Sequence, residues 1–412
     1  MTIPTPPAAP AVPAPQAPPA AWTWLIYMAG DNNLEGAGRA DLREMQSVGS
    51  SPALNVIVQF DTSADRAARL RVEKNRLKTL QRMPGVNCGD PRALRDFIQW
   101  GAREFPAERY LICIWNHGSG WEDLPPDYDY DAMRAIRAVR TRRALFNPTA
   151  ESVRQRLIPA RAIAIDCGSR DFLDNRELRE ALQGALPGSR AADILGCDAC
   201  LMNLLEIGYE MKDAARILVG SEEVEPGTGW PYAAVLEALA DRPDMAPEEL
   251  ARTIVAEYGA WYRRLRETAT QSALDLGRVR AAAQALDALA GALLEGLPGL
   301  AGTALLARER AQKFEMPEYV DLADLARELQ RRLSAKSRAS AAAAAVIGAI
   351  EGDGNGGAGL VLANSVVGSR VRRARGVSIY FPSKDRYSPD YGSLSISRDA
   401  RWSRLLKALF RA

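Results

Sequence analysis

The chain has 412 residues, 47% of them hydrophobic and 25% charged, a globular composition with ample material for a sizeable core. Its 53 basic and 51 acidic residues leave a net charge of +2 spread along the chain, which gives no footprint for nucleic acid or an anionic membrane. No apolar run approaches the roughly 18 residues that a membrane span needs.

The first 21 residues are almost entirely proline and alanine and predict a disordered or polyproline-like tail. They lack the cationic start and unbroken apolar core of a secretion signal. The five cysteines are odd in number, and Cys113 and Cys167 fall inside or at the end of apolar strands. Free thiols in a reducing, cytoplasmic setting are therefore expected rather than a disulfide framework.

Residues 22–29 (WTWLIYMA) predict a strand that ends in the turn and cap cluster Gly30, Asp31, Asn32 and Asn33, with a helix after it to about Ser47. A buried strand over 54–60 and a charged edge hairpin over 70–80 follow. The next helix runs to about Phe105, with Asp90 as its cap and Pro91 in its first turn. Residues 109–115 (RYLICIW) form a third core strand and deliver Asn116, His117, Gly118, Ser119 and Gly120. Beyond a long arginine-rich loop, 122–159, strands are expected over 162–166, 193–195 and 217–219, and a helix over 175–186. Near-continuous apolar strands alternating with helices predict an α/β fold whose mostly parallel central sheet carries helices on both faces. Several helices run between 246 and 333, then a glycine-rich loop (352–359), a late strand (376–382) and an amphipathic last helix (402–410). The chain thus divides into a tail (1–21), a core (22–245) and a mainly helical C-terminal part (246–412) that returns a strand to the core.

The stretch 193–202, DILGCDACLM, organises the chemistry. Its apolar start reads as a strand, and from Cys200 onward the apolar residues recur near helical spacing, which predicts a thiol at the N-terminus of a helix. There the macrodipole favours the thiolate, the nucleophilic form. His117 is the one histidine in the chain, so a thiol–imidazole enzyme has a single base to use. Both residues follow the carboxyl end of a predicted strand, where the sites of parallel sheets lie. The backbone N–H groups of Gly118 and Cys200 are candidates for an oxyanion hole. Asp198, Glu222 and Glu223 are placed to line a pocket for a cationic side chain. No third residue orienting His117 is identifiable; Asn116 points the other way if the strand alternation continues.

Cys197 and Cys200 also spell C-x-x-C, so a thiol–disulfide oxidoreductase is the first rival reading. A zinc site lacks a second close pair of ligands, and no metal ligand set is assigned. GNGGAG at 354–359 matches a dinucleotide-binding motif by spelling but follows a helix and precedes a strand, the reverse of the required context.

Several stretches together resemble the clostripain family of cysteine peptidases, relatives of caspases, legumain and gingipains. They are 24–35 (WLIYMAGDNNLE), 87–100 (NCGDPRALRDFIQW), 110–121 (YLICIWNHGSGW), 198–202 (DACLM) and 220–232 (GSEEVEPGTGWPY), with later pieces at 271–276, 319–322 and 376–382. The resemblance runs from about residue 22 to the C-terminus. It implies a caspase-like fold, a catalytic dyad of His117 and Cys200, and cleavage of protein or peptide substrates after arginine or lysine. It places Asp198 at the base of the pocket, with Glu222 or Glu223 as a further contributor. It also implies activation by self-cleavage in the loop after the histidine, for which Arg142 and Arg143 are the first candidates. No cofactor is implied; some members depend on calcium, and no calcium site is identifiable in this sequence. A non-catalytic caspase-like binding protein is the second rival.

Overall fold

The computed structural model describes residues 19–64, 66–121, 128–135, 163–352 and 357–411. Most of the Pro/Ala-rich stretch, and the candidate cut sites Arg142 and Arg143, lie outside the described residues.

The first strand, β1 (Ala20–Gly30), is buried over nearly its whole length, as its apolar run requires. Leu25, Tyr27 and Ala29 pack into the layer that holds Phe97 and Ile98 of the Pro91–Glu104 helix. The alternate residues Trp24, Ile26 and Met28 pack with Leu42 and Met45 of the Glu35–Met45 helix and with Val235 and Tyr258 on the opposite face. Asp90 caps the Pro91–Glu104 helix by accepting from the Arg92 N–H at 2.8 Å, as its sequence predicts.

The remaining strands in chain order are β2 (Leu54–Thr62), β3 (Arg66–Glu73), β4 (Arg76–Pro84), β5 (Ala107–Trp115), β6 (Ile163–Asp166), β7 (Asp171–Leu173), β8 (Ala192–Asp198) and β9 (Ala215–Gly220). The C-terminal part adds β10 (Ala269–Asp275), β11 (Tyr319–Asp321), β12 (Val361–Val367) and β13 (Ser378–Tyr380). One nine-stranded sheet runs in the order β12-β10-β9-β8-β5-β1-β2-β3-β4. Its centre, from β9 to β2, is parallel, and an antiparallel pair closes each edge. The charged hairpin of β3 and β4 lies at one edge, as expected.

Two expectations change. The C-terminal part returns two strands to the main sheet, β10 and β12, whereas the late strand β13 pairs with β11 in a small sheet of its own. The main sheet therefore draws on both sides of residue 245. And no helix begins at Cys200. The strand β8 continues through Gly196 and Cys197 to Asp198, and the following helix spans only Leu205–Met211. Leu201 takes a left-handed backbone, φ 61°, which breaks any helix started there. The backbone of 201–203 is held instead by the segment after β9: Leu201 N–H donates to Glu223 O and Asn203 N–H to Ser221 O.

Candidate active site

Three neighbouring parallel strands, β1, β5 and β8, end at one rim of the sheet, with Trp115 and Asp198 opposite each other in register. Two residues beyond these strand ends lie His117 and Cys200, and both line one narrow cavity of about 40 Å³. Separated by 83 positions in sequence, the two are brought to a common rim by strand pairing alone.

From the third strand comes a residue that the sequence reading passed over. Asn33, in the turn after β1, places its Oδ1 2.7 Å from His117 Nε2. An amide oxygen only accepts, so this bond puts the imidazole proton on Nε2 and leaves Nδ1 as the basic nitrogen. The capping expected of this turn cluster is not seen: the Glu35–Met45 helix has Leu34 at its N-cap with no side-chain cap bond, and Asn32 instead closes the turn by accepting from Leu34 N–H at 2.8 Å. Asn116 faces elsewhere, as expected: its amide donates to Ala29 O at 2.5 Å and accepts from Ile165 N–H at 2.8 Å, tying β6 to the end of β1. Burial pushes the His117 imidazole down to about 4, so it is neutral near pH 7.

Cys200 is 7% exposed, and its Sγ accepts from the backbone N–H of Glu225 at 3.2 Å. Without a helix behind it, this thiol has no macrodipole to lower its pKa. Burial and the carboxylates of Glu225, Glu223 and Asp198 push it well up instead. Gly118 lies flat against the same peptide: a Cβ there would sit 2.4 Å from Cys200 O and 3.1 Å from Cys200 N. Only glycine lets the two loops meet so closely.

Asp198 points into the cavity, accepting from Tyr232 Oη at 2.7 Å and from Trp230 N–H at 3.3 Å. Beside it, in the same cavity, is Glu225, whose Oε1 accepts from Gln271 Nε2 at 3.4 Å. The two buried carboxyls line the same cavity, and burial raises the pKa of both, with the Asp198 charge a further cause at Glu225. Gln271 Oε1 and Tyr258 Oη are buried near this pair with no hydrogen-bond partner among the described residues.

Glu222 and Glu223, named with Asp198 as pocket candidates, do not line this cavity. Glu222 accepts from Gly376 N–H at 2.8 Å and Ser378 Oγ at 3.0 Å and faces Asp321. Glu223 pairs with Arg370 at 2.9 Å and accepts from Glu315 N–H at 3.1 Å. The acidic residue that reaches the pocket is Glu225, two positions further on. The alternation Glu-Glu-Val-Glu in the sequence was the available signal.

Cys197 is fully buried inside β8 and no helix follows it directly, so the C-x-x-C spelling does not form the exposed helix-terminal pair that dithiol exchange uses. All five cysteines are free thiols. A set with metal-ligand spacing exists elsewhere: one ligand atom from each of Asp61, Cys88 and Asp166 lies within 4.8 Å of the others. Its carboxylates are engaged in backbone contacts, Asp166 accepting from Cys88 N–H and Asp61 from Val86 N–H.

A sequence model of the clostripain family (peptidase C11) matches residues 26–136 and 151–408, and the chain belongs to that family of cysteine peptidases. Clostripain of Hathewaya histolytica is 26% identical over 247 residues, 53% of this chain and 42% of that protein. The match thus spans less than half the length of that relative. A secreted C11 cysteine protease from Bacteroides thetaiotaomicron, solved with an irreversible peptide inhibitor, superposes with a TM-score of 0.64 at 18% identity, covering 94% of this chain and 99% of that one. An inactive zymogen C11 protease from Parabacteroides distasonis gives 0.65 at 19% identity, with 93% and 99% covered. The caspase-like α/β fold expected from the sequence is the fold observed. The expectation of a cytoplasmic protein is corrected, since the solved relative from Bacteroides thetaiotaomicron is a secreted protease. Five free thiols carried no information on compartment, because all five are buried. No helix among the described residues is long and apolar enough to cross a membrane.

Proposed function

We propose that this chain is an endopeptidase that cuts after arginine or lysine and acts outside the cell. Cys200 Sγ attacks the scissile carbonyl, His117 passes a proton to the leaving amine, and the acyl-enzyme thioester is then hydrolysed by water activated by the same imidazole. The N–H groups of Gly118 and Cys200 hold the oxyanion, where losing one donor typically lowers the rate by about 10²–10³. Asp198, together with Glu225 rather than Glu222 or Glu223, receives the cationic side chain. The observation that carries this reading is the single cavity lined by His117, Cys200, Asp198 and Glu225.

That cavity, at about 40 Å³, has room for a water or so but not for an arginine side chain, so the pocket opens before substrate enters. Such closure suits a precursor that is activated by cutting itself in the arginine-rich loop 122–159, with Arg142 and Arg143 as the first candidates. Arg134, in the same loop, is a poorer target: it sits in the Tyr130–Ala135 helix and pairs with Asp31 at 2.9 Å.

Cys200→Ala is expected to abolish cleavage of Arg-containing fluorogenic peptides and to leave the purified chain as one uncut band in mass spectrometry. Residual cleavage by that variant would remove Cys200 from its role. A parent enzyme that cuts after arginine and after neutral residues equally well would remove Asp198 and Glu225 from theirs.

A further inference from the structure

We propose that the cationic side chain of the substrate switches on the nucleophile: by filling the cavity it sets a positive charge against Asp198 and Glu225, the buried acids that share that cavity with Cys200. The inference rests on the peptidase reading above and concerns how that site is regulated.

The problem it answers is physical. Cysteine nucleophiles are usually activated by a positive neighbour or a helix N-terminus. Cys200 has neither: the next helix starts at Leu205, and the neutral His117 is held through Nε2 by Asn33. The charged and titratable groups that face the thiol come from every element around it. They are Asp41 on the Glu35–Met45 helix, Asp198 at the end of β8, Glu223 and Glu225 beyond β9, Tyr258 on the Pro247–Leu265 helix, and His117 beyond β5. Glu223 is already neutralised by Arg370 at 2.9 Å. The acids left without a cation beside the thiol are Asp198 and Glu225, which line its cavity, with Asp41 across the same cavity accepting from Trp115 Nε1 at 2.8 Å. Glu225 also donates its own backbone N–H to Sγ, so the acid pair and the sulfur belong to one short segment of chain.

A guanidinium brought against the pair supplies one positive charge. The pair then no longer opposes a thiolate, and the thiol proton is free to move to Nδ1 of His117, giving a thiolate–imidazolium pair with no bond broken other than S–H. The pocket is built for such a guest. Gly229 stands beside the acid with φ 56°, and a Cβ there would lie 3.0 Å from both Asp198 carboxylate oxygens. Gln271 Oε1 and Tyr258 Oη, buried and unpartnered among the described residues, supply acceptors beyond the two carboxyls. A guanidinium has five N–H donors for them. Recognition and activation are thus one event, and a substrate with a neutral side chain is slow in the chemical step as well as weakly bound.

The test uses the full chain in a preparation shown to cleave an Arg-amide substrate, with ethylguanidinium as the probe of the pocket. Carboxamidomethylation of Cys200 by iodoacetamide is followed by mass spectrometry across pH, with and without the probe at a concentration that competitively inhibits the Arg substrate. The expected result is a midpoint of alkylation displaced downward by about one unit or more, which is tenfold or more in thiolate at neutral pH. Cleavage of a neutral-residue substrate should rise in kcat at the same time. The double variant Asp198→Asn/Glu225→Gln, which removes both acids, should start from the lowered midpoint and show no further response. The midpoint is the deciding quantity, because simple blocking of access slows alkylation without moving it. Competitive inhibition with an unmoved midpoint overturns this inference and leaves the peptidase reading standing. A preparation that cleaves no Arg substrate overturns both.

Discussion

At the scale of single residues, Asn33 is the position on which the proposed role of His117 as base depends. Its Oδ1 fixes both the tautomer and the orientation of His117 at 2.7 Å. Asn33→Ala should lower kcat by about tenfold to a hundredfold, in the range that positioning and proton transfer contribute, with little change in KM. Asn33→Asp separates orientation from mere packing. A carboxylate opposite Nε2–H favours imidazolium, so the His117 pKa rises from about 4 and the acid limb of the kcat/KM profile moves to higher pH. A profile unmoved by Asn33→Asp would mean that the hydrogen bond does not exist in the working enzyme. The acids make a second contrast. Glu225→Gln should cost Arg-substrate kcat/KM about tenfold to a hundredfold, the usual range for one charged hydrogen bond. Glu222→Gln should leave the arginine preference intact and lower the melting temperature, because its partners are Gly376 N–H and Ser378 Oγ in the small sheet side of the molecule. The opposite assignment of losses would return the pocket to Glu222. His117 and Cys200 could be singled out because the chain has one histidine and five cysteines and both follow apolar strands, and Asp198 because it sits two residues before Cys200. Asn33 and Glu225 were not, because asparagine in a turn and glutamate in an acidic run have ordinary explanations, and only tertiary contact distinguishes them.

At the scale of elements, the strands β1, β2 and β5 were legible as apolar runs, and the Pro91–Glu104 helix by its cap, since local chemistry and burial agree there. The stretch around Cys200 misled for the converse reason. Gly196 and Asp198 look like turn residues, yet both are built into β8, Asp198 because Tyr232 and Trp230 satisfy its carboxylate. The helical spacing after Cys200 was real, but its first turn is consumed by the left-handed Leu201 and by bonds to Ser221 and Glu223. The strand β10 was hidden by its polar Thr270, Gln271 and Ser272, which are buried against partners distant in sequence. Strand order also carries a prediction about processing. A cut within 122–159 falls between β5 and β8, which pair side by side in the middle of the sheet, with β1 on one flank and β9 on the other. Two fragments should therefore appear on a denaturing gel while gel filtration gives one peak at the size of the intact chain. Fragments that separate without denaturant would contradict the shared sheet.

For the whole molecule, the number of acids buried without a cation decides how stability responds to pH. Burial raises Asp61, Glu206 and Asp321 to about 7 each. A carboxyl whose folded value exceeds its unfolded value near 4 keeps its proton in the native state after the unfolded chain has lost it. Its contribution is therefore complete below about pH 4 and is lost as pH rises through 7. His117 acts in the opposite sense, because a half-buried imidazole held neutral loses stability as pH falls from its unfolded value near 6.5 toward 4. Below pH 6.5 the one histidine is set against these three carboxyls and the other buried acids that burial raises, Asp198 and Glu225 among them. The melting temperature of the Cys200→Ala variant, in which self-cleavage cannot interfere, should accordingly fall as pH is raised from about 5 to 8. Asp61→Asn, which mimics the protonated acid that the Val86 N–H and its surroundings accommodate, should flatten that slope. A melting temperature that climbs across the same interval would show that these acids are ionised in the folded chain, with charge compensation the packing does not supply.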